Sequence, residues 1–438
     1  MAIAFLLGLF VLNSMAQKSI EGHWEGTMTR EGAVLPVSFD FTSEAGKLKA
    51  NFNSPTQRAT GIPLRNVNFA APKIHFELVG DATTIIFDGE LNAETINGQF
   101  RENDAGGTFS LKRVETKPPP FRQEEITFQN GDVILSGTLL LPLTKASHPA
   151  VVFLHGSGAE GRFASRFLAE HLTRYGIAAL IYDKRGVGKS TGDWKQSNFE
   201  DLAGDAIAAI NLLRQRKDIN PKQIGVYGHS QGGMLAPLVA SRSKDVAFVI
   251  SGAGSAVPLY QAEVNSITNQ VRAKGVSGDE LDEAIVFIKM FVNVLRTGEG
   301  WEQFDASTEK AKDKRWYPML HVPPKENWFW SYYKQIANYN AADYWAKVNV
   351  PALVIYGEQD LYVPVAESIS NIDRALNKAG NRDYTILVLP RASHSFIIEP
   401  QAGQPFEWRR ISPGFPDLLT AWIVQRIIGE DLTNLNVD

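Results

Sequence analysis

A serine hydroxyl becomes a nucleophile only when a neighbouring base takes its proton, and that base needs an acid to hold it in place. Residues 225–233, GVYGHSQGG, set Ser230 inside Gly228-His229-Ser230-Gln231-Gly232. This pentapeptide matches G-x-S-x-G, and it follows an apolar strand-like run and precedes the helix-like MLAPLVASR. A sharp strand-to-helix turn at that point strains the backbone of the serine and pushes its hydroxyl into the open. Gly228 and Gly232, with Gly233 beyond, leave room for neighbouring backbone. The backbone N–H of Gln231 then falls at a helix N-terminus, where a developing oxyanion is stabilised. The competing reading is an ordinary glycine-rich turn, so the partners of Ser230 decide between them.

With a nucleophile at such a turn, the acid and then the histidine follow along the chain. The eight histidines are His23, His75, His148, His155, His171, His229, His321 and His394. Only His394 comes after the late strand-like runs, in the loop LPRASHSF, and it is the candidate base. The candidate acid is Asp360 in GEQDLYVP, far enough past Gly357 to turn back toward His394, with Glu358 as the fallback. A second oxyanion donor is expected after the first central strand, where the chain reads His155-Gly156-Ser157-Gly158. The N–H of Ser157 is the first choice and that of Gly158 the second, and His155 is read as orienting this loop. The run Asp183-Lys184-Arg185-Gly186-Val187-Gly188-Lys189-Ser190 looks like a phosphate loop but has Asp183 where G-x-x-x-x-G-K-S requires glycine. It is read instead as a turn bracing the catalytic edge. His23 and His75 stand isolated in the sequence and are read as structural. No histidine–carboxylate cluster has metal-ligand spacing, so neither a metal nor another cofactor is expected.

The elements that must carry these residues are legible as texture. Past residue 124, ITFQN and VILSGTLLLP read as an opening antiparallel pair. Six apolar runs then alternate with helical stretches: AVVFLH (150–155), IAALIYD (177–183), QIGVYG (223–228), AFVISG (247–252), ALVIYG (352–357) and TILVLP (385–390). Such near-continuous Val/Ile/Leu runs mark a doubly wound, mostly parallel sheet buried on both faces. Between about 256 and 347 no strand-like run occurs; Leu281, Ile285, Ile288, Val292 and Leu295 keep helical spacing, and aromatic residues gather in WYPML, NWFWSYYKQ and ADYW. This stretch is read as a helical cap, packing on the sheet unit and walling an apolar pocket.

The beginning of the chain has another character. Residues 17–114 alternate short β-type runs with turns, among them VLPVSFDF, KLKANFN, KIHFELV, TIIFDGEL and INGQF, which indicates a small all-β barrel or sandwich. ETKPPPFRQ (115–123) is read as a stiff linker, and 124–438 as the α/β unit. Residues 1–16 read as a signal peptide: an apolar run over 2–12 precedes Ser14 and Ala16 at the −3 and −1 positions of a cut after Ala16. No Lys or Arg precedes the run, which departs from the usual pattern, and the competing reading is a buried N-terminal element. With 44% hydrophobic and 21% charged residues the composition is that of an ordinary globular chain. A net charge of −4 with scattered Lys and Arg gives no reason to expect nucleic acid as a partner. The absence of cysteine excludes disulfides and thiolate metal sites. No transmembrane span is expected in the mature chain.

Taken together, HGSG, DKRGVGKS, GHSQGG, GEQDLYVP and ASHSF resemble the α/β-hydrolase superfamily over roughly residues 124–430. Within it the chain is most similar to bacterial secreted carboxylesterases of the serine-aminopeptidase-like and prolyl-oligopeptidase-like branch, which often carry a β-rich N-terminal extension. The resemblance implies a Ser230–His394–Asp360 triad, oxyanion donors at Ser157 and Gln231, and an exported enzyme, periplasmic or secreted. It implies cleavage of small-molecule carboxylic esters through an acyl-enzyme. A peptidase or amidase using the same triad is the enzyme alternative, with Glu263, Asp279, Glu280, Asp282 and Glu283 available to bind a peptide N-terminus. A non-catalytic binding protein on the same scaffold is the alternative outside enzymes. Fold and motifs set neither the acyl and alcohol groups nor the oligomeric state.

Overall fold

The computed structural model describes residues 19–429 except 81–82, 117, 145 and 402, so the expected signal peptide lies outside the described residues. The chain divides into two compact units. The first takes in the described residues up to 116 together with Gln404–Trp408; the second is Pro118–Gly403 and the chain from Arg409 onward.

The first unit is one antiparallel sheet of nine strands. They are β1 (Gly22–Arg30), β2 (Ala33–Glu44), β3 (Lys47–Ser54), β4 (Ala59–Pro63), β5 (Arg65–Ala70), β6 (Lys73–Val79), β7 (Thr84–Asn92), β8 (Thr95–Glu102) and β9 (Ala105–Val114). The order β4-β3-β2-β1-β9-β8-β7-β6-β5 nearly closes on itself, and Leu64 N, between β4 and β5, donates to Ala50 O of β3 at 2.8 Å. Alternate residues face inward, as Leu35, Val37, Phe39 and Phe41 do along β2. Their rings meet Phe76, Phe87, Phe100 and Phe109 in a packed aromatic core. The sequence reading named no strand at β1, β4, β5 or β9, whose apolar residues are few and separated by Gly, Thr, Asn or charged residues. Nor are His23 and His75 isolated: the first bonds Asp40 at 2.6 Å and the second Asp88 at 2.8 Å across neighbouring strands.

The second unit is built on an eight-stranded sheet. The hairpin β10 (Phe121–Asn130) and β11 (Val133–Pro142) opens it, as the sequence implied. Then come β12 (His148–Leu154), β13 (Ala178–Tyr182), β14 (Ile219–His229), β15 (Phe248–Gly252), β16 (Ala352–Gly357) and β17 (Tyr384–Leu389). The order β10-β11-β13-β12-β14-β15-β16-β17 is parallel from β13 onward. Helices α1 (Arg166–Arg174), α2 (Phe199–Arg214) and α3 (Gln231–Arg242) connect the early strands. Residues of α2 and α3 pack in the core on one sheet face and those of α1 in the core on the other, so both faces are buried. This is the α/β-hydrolase architecture, and each apolar run read from the sequence is one of its strands.

Between β15 and β16 stand α4 (Leu259–Ala273), α5 (Gly278–Thr297), α6 (Trp301–Ala311), α7 (Phe329–Ile336) and α8 (Ala342–Trp345), and no strand among the described residues. Their helices form a separate core around Phe287, Phe291, Trp316 and Trp330. The helical insertion therefore has its own apolar centre, which accounts for most of its aromatic residues. After β16 come α9 (Val365–Ala379) and, near the end, α10 (Phe415–Ile423). Among the described residues no helix is long and apolar enough to cross a membrane.

Candidate active site

Ser230 stands where β14 ends and α3 begins, with φ 57° and ψ −118°. A non-glycine residue held at such angles is strained by about 1–3 kcal/mol and needs neighbours that fix it. Its N–H donates to Gly252 O at 2.8 Å, and its carbonyl accepts from Met234 N at 3.1 Å. A Cβ on Gly228 would lie 2.0 Å from Gly232 O, so the turn closes only with glycine there.

The loops after β16 and β17 bring two side chains to this serine. The Ser230 hydroxyl and His394 Nε2 are 2.9 Å apart. His394 Nδ1 is 2.8 Å from Asp360 Oδ2. The other oxygen of Asp360 accepts from the N–H of Tyr362 at 2.8 Å and of Val363 at 3.0 Å, and the carboxylate is shut off from solvent. Glu358, the fallback acid, is exposed and accepts instead from Arg391 N at 2.7 Å. The chain thus gathers Ser230, His394 and Asp360, residues 130 and more positions apart along parts of their path, because the parallel strands put all three loops at one sheet edge.

Ser157, Gly158 and Gln231 line the same cavity as Ser230. His155 is buried and its Nε2 lies 2.5 Å from Tyr182 O. Burial first, and then the Lys184 charge, hold its imidazole down at about 3, so it stays neutral and braces the loop. Sequence reasoning overlooked Lys184. Its buried ammonium donates to Gly156 O at 2.6 Å, Gly158 O at 3.0 Å and Gln231 Oε1 at 3.1 Å. It therefore ties the carbonyls on either side of Ser157 to the side chain of Gln231. Gly156 N in turn donates to Glu160. The neighbouring charges of the same run are paired: Arg162 grips Asp183 through Nε at 3.1 Å and Nη2 at 2.8 Å, and Arg185 grips Asp205 at 2.8 and 2.6 Å. Asp183 also accepts from Lys189 N at 3.2 Å. The signal was present in DKRGVGKS, but only tertiary structure shows that the Lys184 ammonium turns to the carbonyls of this loop.

The cavity has a volume of about 370 Å³. Trp194, Phe199 and Met234 wall one part of it, and Leu259, Phe329, Tyr332, Tyr333 and Ile336 of the helical insertion wall another. Gln231 Nε2 donates to the Tyr332 hydroxyl at 3.3 Å, so α7 touches the turn itself. Among the described residues no group of His, Asp and Glu could hold a metal ion. The arrangement can activate a hydroxyl, hold a developing negative charge and bind an apolar substrate arm in a largely apolar space.

The profile of the family described as serine aminopeptidase S33 matches residues 145–401, more than half of the chain. Among curated proteins the chain is similar to esterase EstD of Thermotoga maritima, at 25% identity over 364 residues, which cover 78% of this chain and 79% of that protein. It is also similar to the quorum-quenching protein AidA of Acinetobacter baumannii, at 31% identity over 128 residues, 29% of this chain and 42% of that protein. Among solved structures, an esterase of Pyrococcus furiosus aligns with a TM-score of 0.48 at 20% identity, covering 72% of this chain and 96% of that one.

Proposed function

Because the chain belongs to the serine aminopeptidase S33 family of α/β-hydrolases, we propose that it is a serine carboxylesterase working through an acyl-enzyme, with Ser230, His394 and Asp360 as its triad. The observation that carries this reading is the unbroken run of contacts from the Ser230 hydroxyl through His394, at 2.9 Å, to Asp360, at 2.8 Å. With Nδ1–H donated to the buried Asp360, Nε2 is left as the acceptor for the hydroxyl proton. Ser230 Oγ attacks the ester carbonyl as His394 takes that proton. The N–H groups of Ser157 and Gln231 receive the oxyanion, and Nε2 then passes its proton to the departing alcohol. Water, activated by the same histidine, releases the acid. Similarity to a protein named as an esterase supports esters over amides as the substrate class.

Replacing Ser230 with Ala is expected to lower hydrolysis of short p-nitrophenyl acyl esters by roughly 10⁴-fold or more with circular dichroism unchanged. Retained turnover in that variant would sink the assignment. Running aminoacyl amides beside the esters separates esterase from peptidase, and failure of a fluorophosphonate to label Ser230 would favour a non-catalytic protein. We place the mature enzyme outside the cytoplasm, on the strength of the apolar run at residues 2–12 and the small residues Ser14 and Ala16. In a bacterial host, the fractionated protein should begin at Gln17 outside the inner membrane; an uncut chain in the cytosol would oppose export.

A further inference from the structure

The cavity that receives the Ser230 hydroxyl contains one carboxyl group for which the ester chemistry has no use. Glu263, on α4, lines it together with Ser230 and His394. The wall it shares is mostly apolar or aromatic, with Leu259, Ala262, Phe329 and Tyr333, and the hydroxyl of Ser266, also on α4, accepts from Gln270 Nε2 at 3.0 Å. Burial alone acts on its acid, pushing it up to about 7, with no hydrogen bond and no cation to offset that push. The nearby Tyr333 hydroxyl points its hydrogen elsewhere, to Leu259 O at 3.3 Å. On the same insertion Glu280 and Glu283 reach solvent and are answered by cations, Glu280 by Arg315 at 2.9 Å and Glu283 by Lys314 at 2.9 Å. Glu263 differs from them in facing the substrate space without a protein partner.

A carboxyl group in an apolar wall is unfavourable until something donates to it. Within a cavity open to substrate, the substrate is what can donate. We propose that Glu263 is a specificity residue of this site, selecting esters whose apolar arm carries a hydrogen-bond donor, either a hydroxyl or a protonated amine. The surrounding rings, Phe329 and Tyr333 among them, accept the carbon skeleton of either arm. This assignment rests on the reading of Ser230 as the nucleophile, since it names what that nucleophile acts on. A site built to hydrogen-bond one group discriminates strongly against the analogue that lacks it, because its own polar atom is then stranded.

The test compares p-nitrophenyl esters of hexanoic acid with those of its ω-hydroxy and ω-amino analogues, and butyrate esters of the matching plain, hydroxylated and aminated alcohols. Wild type is expected to favour a donor-bearing ester over its plain counterpart by roughly tenfold or more in kcat/KM. Glu263→Leu should reverse that order, lowering kcat/KM for the donor-bearing ester and raising it for the plain one, and Glu263→Gln should retain part of the preference for the hydroxyl while losing that for the amine. The comparison of hydroxyl with amine arms identifies which donor the site takes. Turnover of plain esters with no advantage for either donor overturns the role of Glu263 and leaves that of Ser230 standing. If no ester is hydrolysed the Ser230 reading fails, and binding decides Glu263. Equilibrium dialysis of the ω-hydroxy and ω-amino hexanamides against Ser230→Ala should then show tighter binding than against Ser230→Ala/Glu263→Leu; equal binding overturns the proposal.

Discussion

At the buried ammonium of Lys184, three N–H donors meet three acceptors: Gly156 O, Gly158 O and Gln231 Oε1. Burial lowers its acid to about 8, against the opposing pull of the Glu160 carboxylate. His155, held neutral beside it, adds no charge at working pH, and Asp183 is engaged by Arg162. As pH rises through about 8 the ammonium loses a proton, and one of the three carbonyl acceptors loses its donor. The Ser157 loop, whose N–H is proposed to receive the oxyanion, then slackens. The expected result is an alkaline fall in kcat beginning near pH 8 in wild type. Lys184→Met should lose roughly tenfold to a hundredfold in kcat, less than deleting a donor outright, with KM little changed. Its pH profile should lack that alkaline limb; a limb identical to wild type would show that Lys184 is not its source. The residue types of the site were readable in the motifs, but this one was read as part of a bracing turn because a sequence does not show which acceptors surround a charge.

The strand-to-helix elements set the precision of the site. A Cβ added at Gly228 would meet Gly232 O at 2.0 Å, and neither atom can move without shifting the start of α3. Gly228→Ala is therefore expected to destabilise the fold by about 1–3 kcal/mol. It should also reduce kcat by roughly a hundredfold through displacement of the Ser230 hydroxyl. Urea titration and steady-state kinetics on the same preparation measure both, and an active variant of wild-type stability would show that the turn has slack. Periodicity made β12, β13, β15 and β16 legible, since strands covered on both faces are apolar along their length. In the first unit only alternate positions are buried, and in β1 that leaves Trp24 and Met28 among Gly, Thr and charged residues. Such a strand owes its existence to its neighbours β2 and β9 more than to its own pattern.

For the whole molecule, the division into units does not follow one cut in the chain. Gln404–Trp408 belongs with the β-sheet unit, although the sequence reading ran the α/β unit unbroken from 124 to 438. Trp408 Nε1 donates to Ala33 O at 3.1 Å, its ring lies 6.0 Å from that of Phe100, and Arg30 stands 4.2 Å over Phe406. Trp408→Ala is expected to destabilise the β unit by about 2 kcal/mol, somewhat below the usual figure for a fully buried ring because this one is half-buried. Thermal unfolding followed in that variant should show the loss; an unchanged transition would make the segment incidental. Motif order and buried-strand patterning sufficed for the α/β-hydrolase architecture and for naming Ser230, His394 and Asp360, because those signals are local and their chain order is constrained by topology. GVYGHSQGG determined the type of turn that carries Ser230. What only tertiary structure decided were the engagement of Asp360 rather than Glu358, the partners of Lys184, the exposure of Glu263 to the cavity and the adoption of 404–408 by the β unit. Each of these depends on which groups are left without a partner once distant segments pack together, and no stretch of sequence contains that sum.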